Sequence, residues 1–219
     1  PAIRMASLYA LGPSYNIDRE WAEIKIIELY ESDVRMAAFQ DSKGMFFCLY
    51  SRYAGRVLEI IRRCFESEDK TIIRIGGYAL CEFYIRYGEF EEYISRLVEL
   101  GEEQVKAILH MAVIYLEFPE YRDKSKAIII KYKNEESDVE FPLGGMFSDK
   151  LVDVQRDLDF LLEIMKSKVS KRMVFSFVRF LEENAGSIKD YSEIILALCE
   201  NVLGMDSKEL SDQWGIEDD

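Results

Sequence analysis

The chain has one histidine, His110, and four cysteines, none of which form a CxxC pair. A single histidine excludes a histidine-rich metal cluster, and the cysteine spacing excludes the usual zinc-binding arrangements. Cys64, Cys81 and Cys199 lie among apolar residues at helical spacing. With Cys48 they are expected to be reduced thiols, the first three buried, which points to the cytoplasm. Four prolines and twelve glycines in 219 residues are too few for a turn-rich β fold. No apolar run reaches about 18 residues, so no membrane span is expected, and no signal peptide is visible. The chain begins with Pro1 rather than Met, and is expected to be either a processed chain or a piece of a longer protein.

Catalytic signatures are scarce as well. There is no Walker or dinucleotide-type glycine loop and no GxSxG elbow. Gly76-Gly77 and Gly144-Gly145 are isolated pairs, read as points of close helix contact or as links. His110 is offset from the apolar face of its helix and is expected to be partly exposed. The adjacent pairs Glu91-Glu92, Glu102-Glu103, Glu135-Glu136 and Glu182-Glu183 diverge on a helix and read as solvated surface. Asp153 and Asp157 share one helix face; they either bind a cation weakly or repel each other, with relief from Arg156. No catalytic residue, cofactor or metal site is expected.

What is present is charge, aromatic bulk and helical period. Against 28 basic residues stand 41 acidic ones, giving net −13, a balance that opposes binding to a phosphate backbone. It suits a soluble protein, or one with a basic partner. Apolar residues recur at helical spacing in four stretches: Tyr53, Val57, Ile60, Ile61 and Cys64; Val105 through Leu116; Val154, Leu158, Leu161, Leu162 and Met165; and Ile188 through Val202. No comparable alternating pattern marks a sheet. Ile128–Ile130 reads as helix because its neighbours Ala127, Lys131 and Lys133 favour one.

Breaks between these stretches recur at a nearly fixed interval. Asp33, Asp69, Gln104, Asp138 and Lys171 open successive blocks 36, 35, 34 and 33 residues apart. Each break puts a capping or acidic residue before an apolar helix. Each block holds two helical stretches: Thr71–Tyr87 then Glu89–Leu100, Gln104–Glu117 then Tyr121–Tyr132, Arg172–Glu183 then Ile188–Leu203. Such a period marks an α-solenoid, in which a helix pair covers its apolar face only by stacking on the next.

Ser32-Asp-Val-Arg-Met-Ala-Ala38 resembles the start of the first helix of a HEAT repeat. Ser67–Ala79, Glu103–Ala107 and Ser137–Glu140 resemble it more loosely, and Pro142 with Gly144-Gly145 predicts a short or distorted helix after the last. The resemblance implies an all-α solenoid of about five stacked antiparallel helix pairs, a HEAT-like superhelix. It would comprise a lead-in over residues 1–15, the repeat domain over 16–203 and an acidic, frayed tail over 204–219. First helices would line the convex side and second helices the concave side. Leu80–Ile94 resembles part of a tetratricopeptide repeat instead, with Tyr84, Gly88, Phe90 and Ile94 in place, but a shift of 34 residues loses most of that pattern. A nonrepeating helical bundle is the third alternative.

Two sets of residues stand out as partner-binding candidates. Arg122, Lys124, Lys126, Lys131 and Lys133 concentrate positive charge on one helix, where an acidic partner would bind. Lys166, Lys168, Lys171 and Arg172 form a second basic group. Charge reversal at Lys126, Lys131 and Lys133 is expected to weaken an acidic partner and leave folding intact. Tyr87 and Phe90 flank a turn in the densest aromatic region and read as core or as exposed contacts. Trp214 is expected either to pack onto the last helix or to anchor something else. The resulting reading is a non-enzymatic scaffold for a protein or peptide, of the kind HEAT-like arrays provide at the ends of larger bacterial signalling ATPases. The alternative is a nucleic-acid-binding or DNA-repair protein, since HEAT-like DNA glycosylases use a basic concave surface.

Overall fold

The computed structural model describes residues 11, 13–38, 42–134, 140–183 and 188–204. The N-terminal decapeptide, Ser137–Val139, and the tail with Trp214 lie outside the described residues. Among the described residues every regular element is helical. The α-helices are α1 (Arg19–Ser32), α2 (Ser42–Phe65), α3 (Lys70–Tyr87), α4 (Glu91–Ser95), α5 (Glu102–Tyr115), α6 (Arg122–Tyr132), α7 (Glu140–Ser148), α8 (Val154–Met165), α9 (Ser170–Glu183) and α10 (Ser192–Leu203). Three short 3₁₀ segments, Val34–Ala38, Leu97–Glu99 and Ile188–Tyr191, connect some of them. The chain divides into two compact units between Met111 and Ala112, within α5.

In the first unit α2 and α3 form the central hairpin, and the Val34–Ala38 segment packs against both. Asp69 starts α3 by accepting from the N–H groups of Thr71 and Ile72, as its place before an apolar helix predicts. Gly88, at φ 78°, ends it with a left-handed turn whose N–H donates to Tyr84 O. The glycine pair sets how closely these helices approach. A β-carbon at Gly76 would lie 2.8 Å from the carbonyl carbon of Cys64, and one at Gly77 would lie 2.5 Å from Ala107 Cβ. Bare backbone is therefore needed where α3 crosses α2 and α5.

The segment Ser32–Ala38 does not open a repeat helix. Asp33 closes α1, its N–H donating to Leu29 O, and its carboxylate accepts from Arg35 N–H at 3.0 Å. A 3₁₀ turn follows, its Met36 and Ala37 buried. The next helix, α2, runs 24 residues to Phe65 with one non-helical residue, Tyr53. Gln104, by contrast, does serve a helix start, as expected. It lies inside α5, where its Oε1 accepts from Gly101 N–H and its Nε2 donates to Phe65 O at 2.8 Å, tying the end of α2.

In the second unit each helix packs on the next but one: α6 against α8, α7 against α9, α8 against α10. Phe147 of α7 meets Phe177 and Phe180 of α9 at ring distances of 5.3 and 5.6 Å. A β-carbon on Gly144 would come 2.8 Å from Ser176 Oγ, so α7 and α9 are also close there, although that hydroxyl can turn aside. Asn201 of α10 donates to the carbonyls of Met165 and Ser167 at 3.0 and 2.9 Å, which ties the end of α8 and the turn after it to α10.

The helical period places most of the core. Val105, Ile108, Leu109, Ala112, Val113 and Leu116 are all buried. The α8 face is turned by about one residue: Asp157, Phe160, Leu161, Ile164 and Met165 are buried, while Leu158 and Leu162 are half-covered. A non-helical residue at Asp157 accompanies that turn (φ −114°, ψ 16°). In α10 the buried residues are Ile194, Ala197 and Leu198, and Cys199 faces outward. Cys64 and Cys81 are buried as expected.

Candidate functional site

The basic helix α6 is largely occupied by the protein's own carboxylates. Arg122 is buried and grips Asp157 with Nη2 at 2.6 Å and Nε at 3.1 Å. It also donates to the carbonyls of Leu116 and Leu151. Lys126 reaches Asp157 Oδ1 at 2.8 Å. Arg156 Nη2 adds a contact at 3.1 Å, and the Asp153 N–H donates to Asp157 at 2.8 Å. Burial works against charge on Asp157, but the hydrogen bonds from Arg122, Lys126, Asp153 N–H and Arg156 outweigh it and hold the carboxyl well below its usual range. Lys133 pairs with Glu163.

Asp153 and Asp157 therefore do not act as a cation-binding pair. Asp153 caps α8 by accepting from Arg156 N–H at 3.0 Å, and Asp157 turns inward to Arg122. Among the described residues no cluster of three or more His, Cys, Asp or Glu could hold a metal ion. Of the five basic candidates, Lys124 and Lys131 are exposed, while Arg122, Lys126 and Lys133 serve ion pairs within the second unit. Charge reversal at Lys126 would place like charges against buried Asp157, so it would disturb folding as well as any partner.

The aromatic candidates separate. Phe90 is 4% exposed and sits at φ 64°, before the first residue of α4, with its ring against Tyr93. It belongs to the core. Tyr87 is 49% exposed and completes an aromatic platform at the open end of the α2–α3 hairpin. Its ring stacks on Tyr50 at 4.9 Å and lies 6.2 Å from Phe47. Phe47 stacks on buried Phe83 at 4.6 Å, and Phe83 meets Tyr50 edge-on at 5.0 Å. The Arg86 guanidinium sits 5.4 Å above the Phe47 ring.

The platform is held rigid at its margin. Tyr50 OH donates to Glu89 at 2.6 Å, and this bond, with burial and the negative charge beside it, pushes the phenol up to about 12. Gly88 supplies the turn that brings Glu89 back over Tyr50. Sequence reading reached Tyr87 but not Phe47, Tyr50 or Arg86. Their signal is a second apolar stripe on α2: Phe47 and Tyr50 are three apart and offset from the deeply buried Phe46 and Leu49.

His110 is half-exposed, as its offset predicts, and stacks on Tyr78 at 5.0 Å. No family model matches the chain, and neither a curated protein nor a solved structure does.

Proposed function

We propose that the chain is a non-enzymatic, HEAT-like helical-repeat scaffold that binds a protein or peptide, with the platform of Phe47, Tyr50 and Tyr87 as its contact. The carrying observation is that platform: three aromatic rings and a guanidinium gathered at a hairpin end, with Tyr87 half in solvent. Tyrosine and arginine are the residue types that dominate binding energy at protein interfaces. Rings locked by stacking and by the Tyr50–Glu89 bond lose little freedom when a partner arrives.

The repeat reading draws support from the second unit. Helices there pack on their next-but-one neighbours, and polar ties recur one block apart, Arg122 to Asp157 and Asn201 to Met165. Stacked pairs with first helix on first and second on second have this connectivity. The scaffold would act as the interaction or sensor segment of a larger bacterial protein. Nucleic-acid binding is disfavoured by net −13 and by the carboxylates paired with α6.

Selection of a displayed peptide library on the chain tests the reading. Enriched peptides should lose about tenfold or more in affinity with Tyr87→Ala, the ~1.4 kcal/mol or above expected of an interface anchor. Peptides indifferent to Tyr87 and Phe47, or duplex DNA binding that falls steeply with salt, would refute it.

A further inference from the structure

The aromatic platform already carries one guanidinium of the chain's own. Arg86 sits 5.4 Å from the centre of the Phe47 ring, and its Nε reaches Glu82 Oε1 at 3.3 Å. Glu82 is buried, so a fixed carboxylate holds that guanidinium on the ring. The other half of the platform repeats the ring and the carboxylate. Tyr87, half in solvent, stacks on Tyr50, and Glu89 Oε1 accepts from Tyr50 OH at 2.6 Å. Glu89 is half-buried, and among the described residues nothing donates to its second oxygen, Oε2.

The charge at this corner is negative. The described cations nearest in sequence are matched, Arg86 by Glu82 and Arg52 by fully buried Glu23 at 3.2 Å. Glu91, which hydrogen-bonds Tyr84, adds a further carboxylate. The end of α3, closed by Gly88, contributes the negative pole of its helix dipole. The chain as a whole carries net −13. On the reading that the platform is the contact surface, on which this rests, we infer that the partner is a basic peptide segment whose arginine lies over Tyr87 and donates to Glu89 Oε2. A guanidinium is planar, so it lies flat on a ring and still presents N–H groups in its own plane to a carboxylate. The Arg86 contacts with Phe47 and Glu82 have this form. An acidic partner would meet Glu89 and Glu91 at like charge, and a purely apolar one would cover Glu89 without pairing it.

The test uses the full chain and peptides enriched on it from a random displayed library, synthesised with a fluorophore and measured by anisotropy. Peptides that lose affinity on Tyr87→Ala should contain an arginine. Replacing that arginine by citrulline, which keeps the shape and removes the charge, should cost about tenfold or more in affinity for the wild-type chain. The same replacement should cost about threefold or less on Glu89→Gln and on Tyr87→Leu, because one partner of the guanidinium is gone in each. Both variants change side chains that are exposed or half-buried, and either alone decides the matter if the other does not fold. A basic peptide held only by the net charge would lose equally on wild type and on both variants, and that result overturns the inference. Peptides that depend on Tyr87 but lack arginine, or that accept citrulline at no cost, also overturn it and leave the platform standing. Enriched peptides indifferent to Tyr87 remove the platform itself.

Discussion

Replacing Asp157 with Asn is the sharpest perturbation of this structure. The side chain keeps its shape and one carbonyl oxygen, but its charge disappears and an NH₂ faces the cations that held it. Asp157 accepts from Arg122, Lys126, Arg156 and the Asp153 N–H at distances of 2.6 to 3.2 Å. Hydrogen bonds to charged groups contribute about 1.5–3 kcal/mol each. Those losses do not add in full, because Lys126 and Arg156 can turn toward solvent. Arg122 has no such exit, with a side chain only 9% exposed. Removing one partner of a buried pair destabilises by about 3–5 kcal/mol, and that is the expected loss for Asp157→Asn. At about 2–4 °C per kcal/mol for a chain of this size, the melting temperature should fall by roughly 6–20 °C. Urea and thermal unfolding at neutral pH, followed by circular dichroism, measure it. A loss under about 1 kcal/mol, the scale of an exposed ion pair, would refute the argument that Asp157 is the fixed point of this unit.

The pH dependence of the same pair is a second prediction. Asp157 has a folded-state pKa below its unfolded value of about 3.9, so its contribution is complete near neutrality and fades as pH falls from about 5 through the unfolded value and on toward the folded one. The wild-type protein and Asp157→Asn should therefore converge in stability in acid and separate near neutrality. Gly76→Ala should destabilise the first unit by about 1–3 kcal/mol despite the better helix propensity of alanine, because its methyl meets the backbone of α2; a rise in melting temperature would contradict this. Glu89→Gln should bring the Tyr50 phenol down from about 12 toward the ordinary tyrosine range, read as a difference in ultraviolet titration against Tyr50→Phe. In native protein Cys48 should react quickly with a thiol reagent, while Cys64 and Cys81 stay protected; burial pushes the Cys64 thiol up to about 12, which leaves it neutral at working pH.

The helices were legible because their signals are local. Asp69 before Thr71, Gly88 after Tyr87 and the apolar run from Val105 to Leu116 each predict what the chain does at those positions. The glycine pairs were legible too, since Gly76 and Gly77 lie where helices touch. The start of the array was not. Asp33 has the composition of a helix opener, but its carboxylate is taken by Arg35 and its N–H by α1, so the chain makes a 3₁₀ turn there. The face of α8 was misread for a related reason: apolar spacing cannot reveal that a guanidinium 35 residues away draws Asp157 inward. Tyr87 and Phe90 were not separable by composition, both reading as core or as exposed contacts, yet only Tyr87 is exposed. A left-handed backbone turns the Phe90 ring into the core.

The grip of Arg122 on Asp157 also bears on how the second unit opens. That guanidinium holds the start of α6, the body of α8, and the carbonyls of Leu116 and Leu151 in one hand. None of the four can leave alone without stranding charge or bare acceptors away from water. In native-state hydrogen exchange, the amides of α6 and α8 should therefore exchange at one common rate, as a single cooperative block, and that block should split into two when Asp157 is replaced.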